Sequence, residues 1–257
     1  MTERQRRRGR RKRRRRQKRL IRRIQAWAAR LLVLSVLILF CAGILRMGIW
    51  LLEHHAAVEE TFEGARSIEP VERKPGSRLI VLDAGHGGRD QGTSAGEILE
   101  KEINLSVVKK LAEELEDAGA TVILTREEDV KIGLEERAAF ANQNEADIFV
   151  SLHCNYCEDD AGVQGLECYY REGSDDGRIL AEQIVQSVET EDGIKNRGTR
   201  TADFRVLRKT DMPAVLIEMG YLSNKTERER MTDETYQKLL AEKIAGGILK
   251  QETSETE

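Results

Sequence analysis

The chain has four histidines, and two of them, His54 and His55, sit side by side just past an apolar stretch. The other two each follow a strand-like run. His86 lies in LDAGHGGRDQG directly after RLIVLD, and His153 ends IFVSLH. In a parallel α/β sheet the carboxyl ends of the strands form the ligand-binding edge, so neighbouring strands would bring both imidazoles to one crevice. Gly85, Gly87 and Gly88 permit a tight turn and close approach there. One histidine in such a place is more often packed or hydrogen-bonded than a ligand; two at one edge reverse that expectation. A catalytic zinc takes three protein ligands and keeps a fourth position for water, so a carboxylate should complete the set. Glu100, fourteen residues after His86, opens a helical pattern that returns from the same edge. It could equally be a first-turn carboxylate favoured by the helix dipole, and Glu97 and Glu102 compete with it.

Glu218 is the second carboxylate of interest. It ends the apolar run AVLIE and precedes Met219-Gly220-Tyr221-Leu222. A carboxylate in such a strand is costly unless it is paired, bound to metal or catalytic. Its two readings are a general base on the same edge as the histidines, or a structural ion pair with Arg126 or Arg137. The turn from His86 to Gly92 is not a dinucleotide loop, because Asp90 stands where the fingerprint needs glycine.

These residues need a scaffold, and from Arg78 onward strand-like runs alternate with helical patterns. RLIVLD (78–83) and TVILT (121–125) bracket a helix over 101–118, in which Ile103, Val107, Val108, Leu111, Leu115 and Ala118 recur at helical spacing before the stop at Gly119. IFVSL (148–152), LECYY (166–170) and AVLIE (214–218) are further strands, with helices at 134–144, 178–190 and 233–250. The alternation predicts an α/β three-layer domain over 78–250, a largely parallel twisted sheet with helices on both faces. Residues 53–77 read as a charged linker ending in Lys74-Pro75-Gly76-Ser77, and 251–257 as a polar tail.

Charge sets the N-terminal part apart. Residues 1–30 hold sixteen basic side chains against the single acid Glu3, +15 in all, whereas the whole chain sums to −3, so the remainder carries −18. That split excludes a uniformly basic nucleic-acid-binding protein, and an apolar content of 40% excludes disorder throughout. Leu31–Leu52 is apolar except for Arg46; as a helix of 22 residues it would span about 33 Å, enough to cross a hydrocarbon core. A cleaved signal peptide is the rival, but no clear A-x-A site follows, and Phe40 before Cys41 argues against a lipoprotein signal. The expectation is one N-terminal transmembrane helix, a retained signal anchor in the cell membrane. Residues 1–30 then form a cytoplasmic tail and everything after Leu52 is extracytoplasmic.

Taken in order, IVLDAGHGG, LEKEINL, TREED, ERAAFANQNEADIFVSLHCN and RVLRKTDMPAVLIEMGYLSN resemble zinc-dependent N-acetylmuramoyl-L-alanine amidases, bacterial cell-wall hydrolases, over about 170 residues from Arg78 to Lys250. The resemblance implies Zn2+ held by His86, Glu100 and His153, with Glu218 catalytic, which selects Glu100 over its neighbours. Asn155 and the Leu222-Ser223-Asn224 turn match too, and Tyr221 stands where the family more often has Phe. It also implies peptidoglycan as the partner and, as substrate, the amide joining the lactyl group of N-acetylmuramic acid to L-alanine of the stem peptide. Zinc would polarise the carbonyl and lower the pKa of bound water to about 7, while Glu218 moves the proton to the leaving amine. A sporulation role in the spore cortex, a regulatory protein partner and a non-catalytic wall-binding module are the alternatives, though all four site positions are filled. Cys154 and Cys157 form C-x-x-C beside His153, with Cys168 on the next strand. Free thiols, or a Cys154–Cys157 or Cys157–Cys168 disulfide, are the readings, and Cys154 should face away from His153 if the strand continues.

Overall fold

The computed structural model describes residues 43, 44, 46, 71–188 and 193–250, within a chain that divides into two compact units, Met1–Phe62 and Glu63–Glu257. The basic tail, nearly all of the expected span at 31–52, most of the linker and the tail 251–257 lie outside the described residues. Among the described residues no helix is long and apolar enough to cross a membrane.

The second unit is a three-layer α/β domain. Its sheet has six strands in the order β4 (Thr121–Leu124), β1 (Leu79–Ala84), β5 (Ile148–Asn155), β8 (Ala214–Tyr221), β6 (Leu166–Tyr170) and β7 (Asn196–Thr201). Every neighbouring pair is parallel except β6 with β8. A two-stranded hairpin, β2 (Ser94–Ala95) with β3 (Ile98–Leu99), leads into α1 (Glu100–Asp117).

Period-two alternation divides each central strand between two cores. Ile80, Leu82, Val150, Leu152, Val215 and Ile217 join the larger core with α1, α3 (Asp175–Val188) and α6 (Glu234–Leu249). Leu79, Val81, Phe149, Ala214 and Leu216 face the other way, to a smaller core under α2 (Leu134–Gln143) and α4 (Arg205–Lys209). Asp83, Ser151, His153 and Glu218 share the parity of this second face, so the thinner layer carries the polar row. α1 ends as its glycine requires: Gly119 takes φ +96 and Ala120 N donates to Leu115 O at 3.0 Å.

Besides the short β2–β3 hairpin, three elements differ from the sequence expectation. β7, NRGTRT, is a half-exposed edge strand without apolar alternation. α4 is only 5 residues long. α5 (Lys225–Met231) starts where Asn224 caps it, accepting from Glu227 N at 3.2 Å. The end of the expected linker is docked: Val71 packs on the smaller core, Arg73 pairs with Asp147 at 3.2 Å, and Lys74 N donates to Thr121 Oγ1 at 3.2 Å. Cys154, Cys157 and Cys168 are free thiols. Cys154 joins the larger core, its Sγ 3.5 Å from Asn104 and turned from the His153 face because β5 continues to Asn155.

Candidate active site

The turn after β1 is held in a conformation that its sequence does not favour by itself. His86 has φ +63, the left-handed region that non-glycine residues rarely enter. Two buried arginines hold it there: Arg137 Nη2 donates to His86 O at 2.7 Å, and Arg126 donates to the carbonyls of Ala84, Gly85 and Lys101 at 2.8 to 3.1 Å. The strained backbone aims the imidazole back across the edge.

α1 brings Glu100 to the same place. Its first amides are satisfied by the preceding loop, Glu100 N donating to Thr93 O at 3.0 Å and Lys101 N to Gln91 O at 3.3 Å, which meets the need of a helix start for external acceptors. Glu100 is buried at 3% exposure, whereas Glu97 and Glu102 are exposed. Its Oε1 lies 3.2 Å from His86 Nε2 and 2.9 Å from His153 Nδ1. The two imidazoles stand edge to face with centroids 4.9 Å apart. Glycine makes this packing possible: a Cβ on Gly85 would overlap the His153 ring, and one on Gly92 would overlap Glu100 and His86. The other nitrogen of His86, Nδ1, meets Asp90 Oδ1 at 3.0 Å, the partner that fixes tautomer and orientation in metal-ligating histidines.

His86, Glu100 and His153 each offer a ligand atom, all within 4.8 Å of one another. Burial alone would raise the Glu100 pKa, but hydrogen bonds from both imidazoles hold it well below the ordinary carboxylate range. Burial likewise works against the His86 cation, yet Glu100 and Asp90 outweigh it and raise the His86 pKa above 6.5. The pocket therefore favours a cation between its three side chains, and the two nitrogens and a carboxylate suit a divalent transition metal.

Glu218 stands beside this cluster, directly opposite His153 in the β5–β8 ladder. Its Oε2 is buried with no hydrogen-bond partner among the described residues, and burial pushes its pKa up to about 7. Neither arginine considered as its structural partner reaches it. Arg137 pairs with Asp83 at 2.6 Å, and Arg126 is taken up by carbonyl oxygens. On its other side, opposite Glu218 in the antiparallel ladder, lies Glu167, 2% exposed and not anticipated from the sequence. The signal was present: Glu167 interrupts the apolar strand LECYY as Glu218 interrupts AVLIE. Asp90 was also missed, an acid four residues after His86 within the glycine turn.

Residues 80–250 match the Amidase_3 family, N-acetylmuramoyl-L-alanine amidase. The chain belongs to this family. The amidase is 33% identical over 202 residues to the probable cell wall amidase LytH of Staphylococcus aureus, covering 77% of this chain and 65% of that one. It therefore spans about two thirds of that relative's length. Among solved structures it is similar to the N-acetylmuramoyl-L-alanine amidase of Clostridium difficile 630, with TM-score 0.68 and 36% identity over 70% of this chain and 98% of that chain. It is similar also to the amidase AmiC2 of Nostoc punctiforme, with TM-score 0.65 and 42% identity over 68% of this chain and 98% of that chain. The amidase is accordingly a hydrolase of the cell-wall-degrading kind, and its mostly parallel three-layer fold is that of these structures.

Proposed function

We propose that the amidase uses zinc, held by His86, Glu100 and His153, to hydrolyse the amide between the lactyl group of N-acetylmuramic acid and L-alanine in peptidoglycan. The observation that carries this reading is Glu100 Oε1, within 3.2 Å of a nitrogen of each imidazole, beside an unpartnered Glu218. Bound zinc supplies Lewis-acid chemistry to water and to the scissile carbonyl. Asp90 holds the His86 ring through Nδ1, leaving Nε2 to face Glu100. Glu218 accepts the attacking water's proton and passes it to the departing amine nitrogen.

In this reading residues 31–52 anchor the chain once in the cell membrane, the +15 tail stays in the cytoplasm and the catalytic domain works outside on the wall. The experiment is mass analysis of muropeptides treated with the full-length chain, alongside elemental analysis of wild type and His153→Ala. The reading requires free stem peptides that begin with L-alanine, and stoichiometric zinc that the substitution removes. Cleavage elsewhere in the peptide would overturn the bond assignment. A mature product beginning near Glu53 in cells would overturn the anchor.

A further inference from the structure

Beyond Glu218, moving away from the metal ligands, Glu167 is not alone. The edge strand β7 sends two guanidinium groups to it, Arg197 through Nε and Arg200 through Nη2 at 3.4 Å. Both converge on the same oxygen, Oε1, which also accepts from Tyr221 Oη at 3.2 Å, while Oε2 accepts from Tyr169 Oη at 2.5 Å. A carboxylate oxygen offers about two lone-pair sites, and Arg197 Nε and Tyr221 Oη fill those of Oε1, so Arg200 stays at ion-pair distance without a hydrogen bond to it. One carboxylate also balances only one of the two positive charges. Among the described residues Glu167 is the sole acidic group within ion-pair distance of either arginine, and Arg200 remains 51% exposed. The cluster is thus a cationic shelf that ends within one strand of Glu218, with guanidinium donors left over.

The substrate chemistry says which anion could use them. In the proposed substrate the lactyl carboxyl is consumed in the scissile amide, so the glycan side is uncharged there and free carboxylates occur on the peptide side. Neighbouring strands lie ~4.8 Å apart, so the guanidinium groups gathered at Glu167 are roughly one to two strand spacings from Glu218. An extended chain covers ~3.5 Å per residue, which brings the residue after L-alanine to that distance. We infer that Arg197 and Arg200 form a subsite for the free α-carboxylate of the second stem-peptide residue, so that they read the leaving peptide. Glu167 is the positioning residue that holds both guanidinium groups beside the catalytic row. This inference rests on the amidase reading above and adds to it a preference among its substrates.

The test uses the full-length, zinc-loaded chain and two soluble muropeptides that differ only in whether the second stem residue carries an α-carboxylate or an α-carboxamide. Wild type should favour the carboxylate form by about tenfold in kcat/KM, chiefly through KM, the scale of one charge-assisted hydrogen bond. Arg200→Gln should lose most of the preference, Arg197 remaining, and Arg200→Lys, which keeps the charge, should restore part of it. Equal kcat/KM for both peptides with wild type, or an undiminished preference in Arg200→Gln, would overturn the subsite while leaving the amidase reading standing. Cleavage of neither peptide by wild type would overturn that reading and the subsite together.

Discussion

Asp83 near the end of β1 and Glu218 near the end of β8 are carboxylates on the same face of one sheet, and their surroundings have almost nothing in common. Asp83 is 1% exposed and accepts from Arg137 Nη1 and Thr125 Oγ1, each at 2.6 Å, and from Ser151 Oγ at 2.7 Å. Burial works to raise its pKa, but Arg137 and the two hydroxyls outweigh that and lower it below 3.8. Among the described residues Glu218 has no arginine partner and a buried oxygen without a donor, and its pKa is pushed up to about 7. The first carboxylate fastens Arg137, and through it the strained His86 turn. The second stands beside His86, Glu100 and His153 with one oxygen unpartnered among the described residues. A carboxylate oxygen buried without a donor is costly to keep charged, and that cost sets Glu218 apart from the fully paired Asp83.

Removing the fastener should have the largest effect on the fold. Arg137→Met leaves Asp83 buried without its cation, releases the carbonyl of His86 and removes one of the two donors to the carbonyl of Ala84. A loss of about 3–5 kcal/mol in urea unfolding is expected; a loss below 1 kcal/mol would show that Asp83 is not held as described. Next, Asp90→Ala takes the orienting partner from His86 and should weaken metal affinity about 10–100-fold, read by competition with a chelator. The same substitution should leave urea unfolding of the metal-free protein little changed.

The two carboxylates should also push stability in opposite directions with pH. Asp83 has a lowered folded pKa, so its contribution is present above 3.8 and is lost as pH falls through the folded value. Glu218 has a raised one, so its ionisation costs nothing below 4.5, costs progressively more as pH rises, and reaches its full penalty above about 7. Thermal unfolding of the metal-free protein from about pH 3 to pH 8 separates them. Asp83→Asn should lose most relative to wild type at the neutral end, whereas Glu218→Gln should gain there and match wild type in acid. The smallest effect belongs to Tyr221→Phe, because Oε1 of Glu167 keeps its hydrogen bond from Arg197 and its ion pair with Arg200. A cost under about 1 kcal/mol and activity within a few-fold of wild type are expected.

Much of this arrangement was legible in the sequence where burial imposes a pattern. The runs at 78–83, 148–152 and 214–218 are β-branched and apolar because their strands are covered on both faces, and the observed β1, β5 and β8 overlap all three. β7 gave no such signal, since Arg197 and Arg200 point to a polar edge and not to a core. Spacing alone left Glu100 in competition with Glu97 and Glu102; only the folded loop from Gln91 to Thr93 separates one buried carboxylate from two exposed ones. The partners that give Asp83 and Glu218 opposite characters lie 42 to 68 positions away in sequence or are missing altogether, and no local pattern records that.

The account rests on Glu218 being the proton carrier, and Glu218→Gln tests it most directly because it keeps the size of the side chain and removes the group that accepts the proton. With the full-length chain loaded with zinc, stem-peptide release should fall about 10²–10⁴-fold, while zinc content stays stoichiometric and the thermal midpoint at neutral pH does not drop. Release within a few-fold of wild type, or a loss of activity that appears only together with loss of zinc or of the fold, would contradict the assignment.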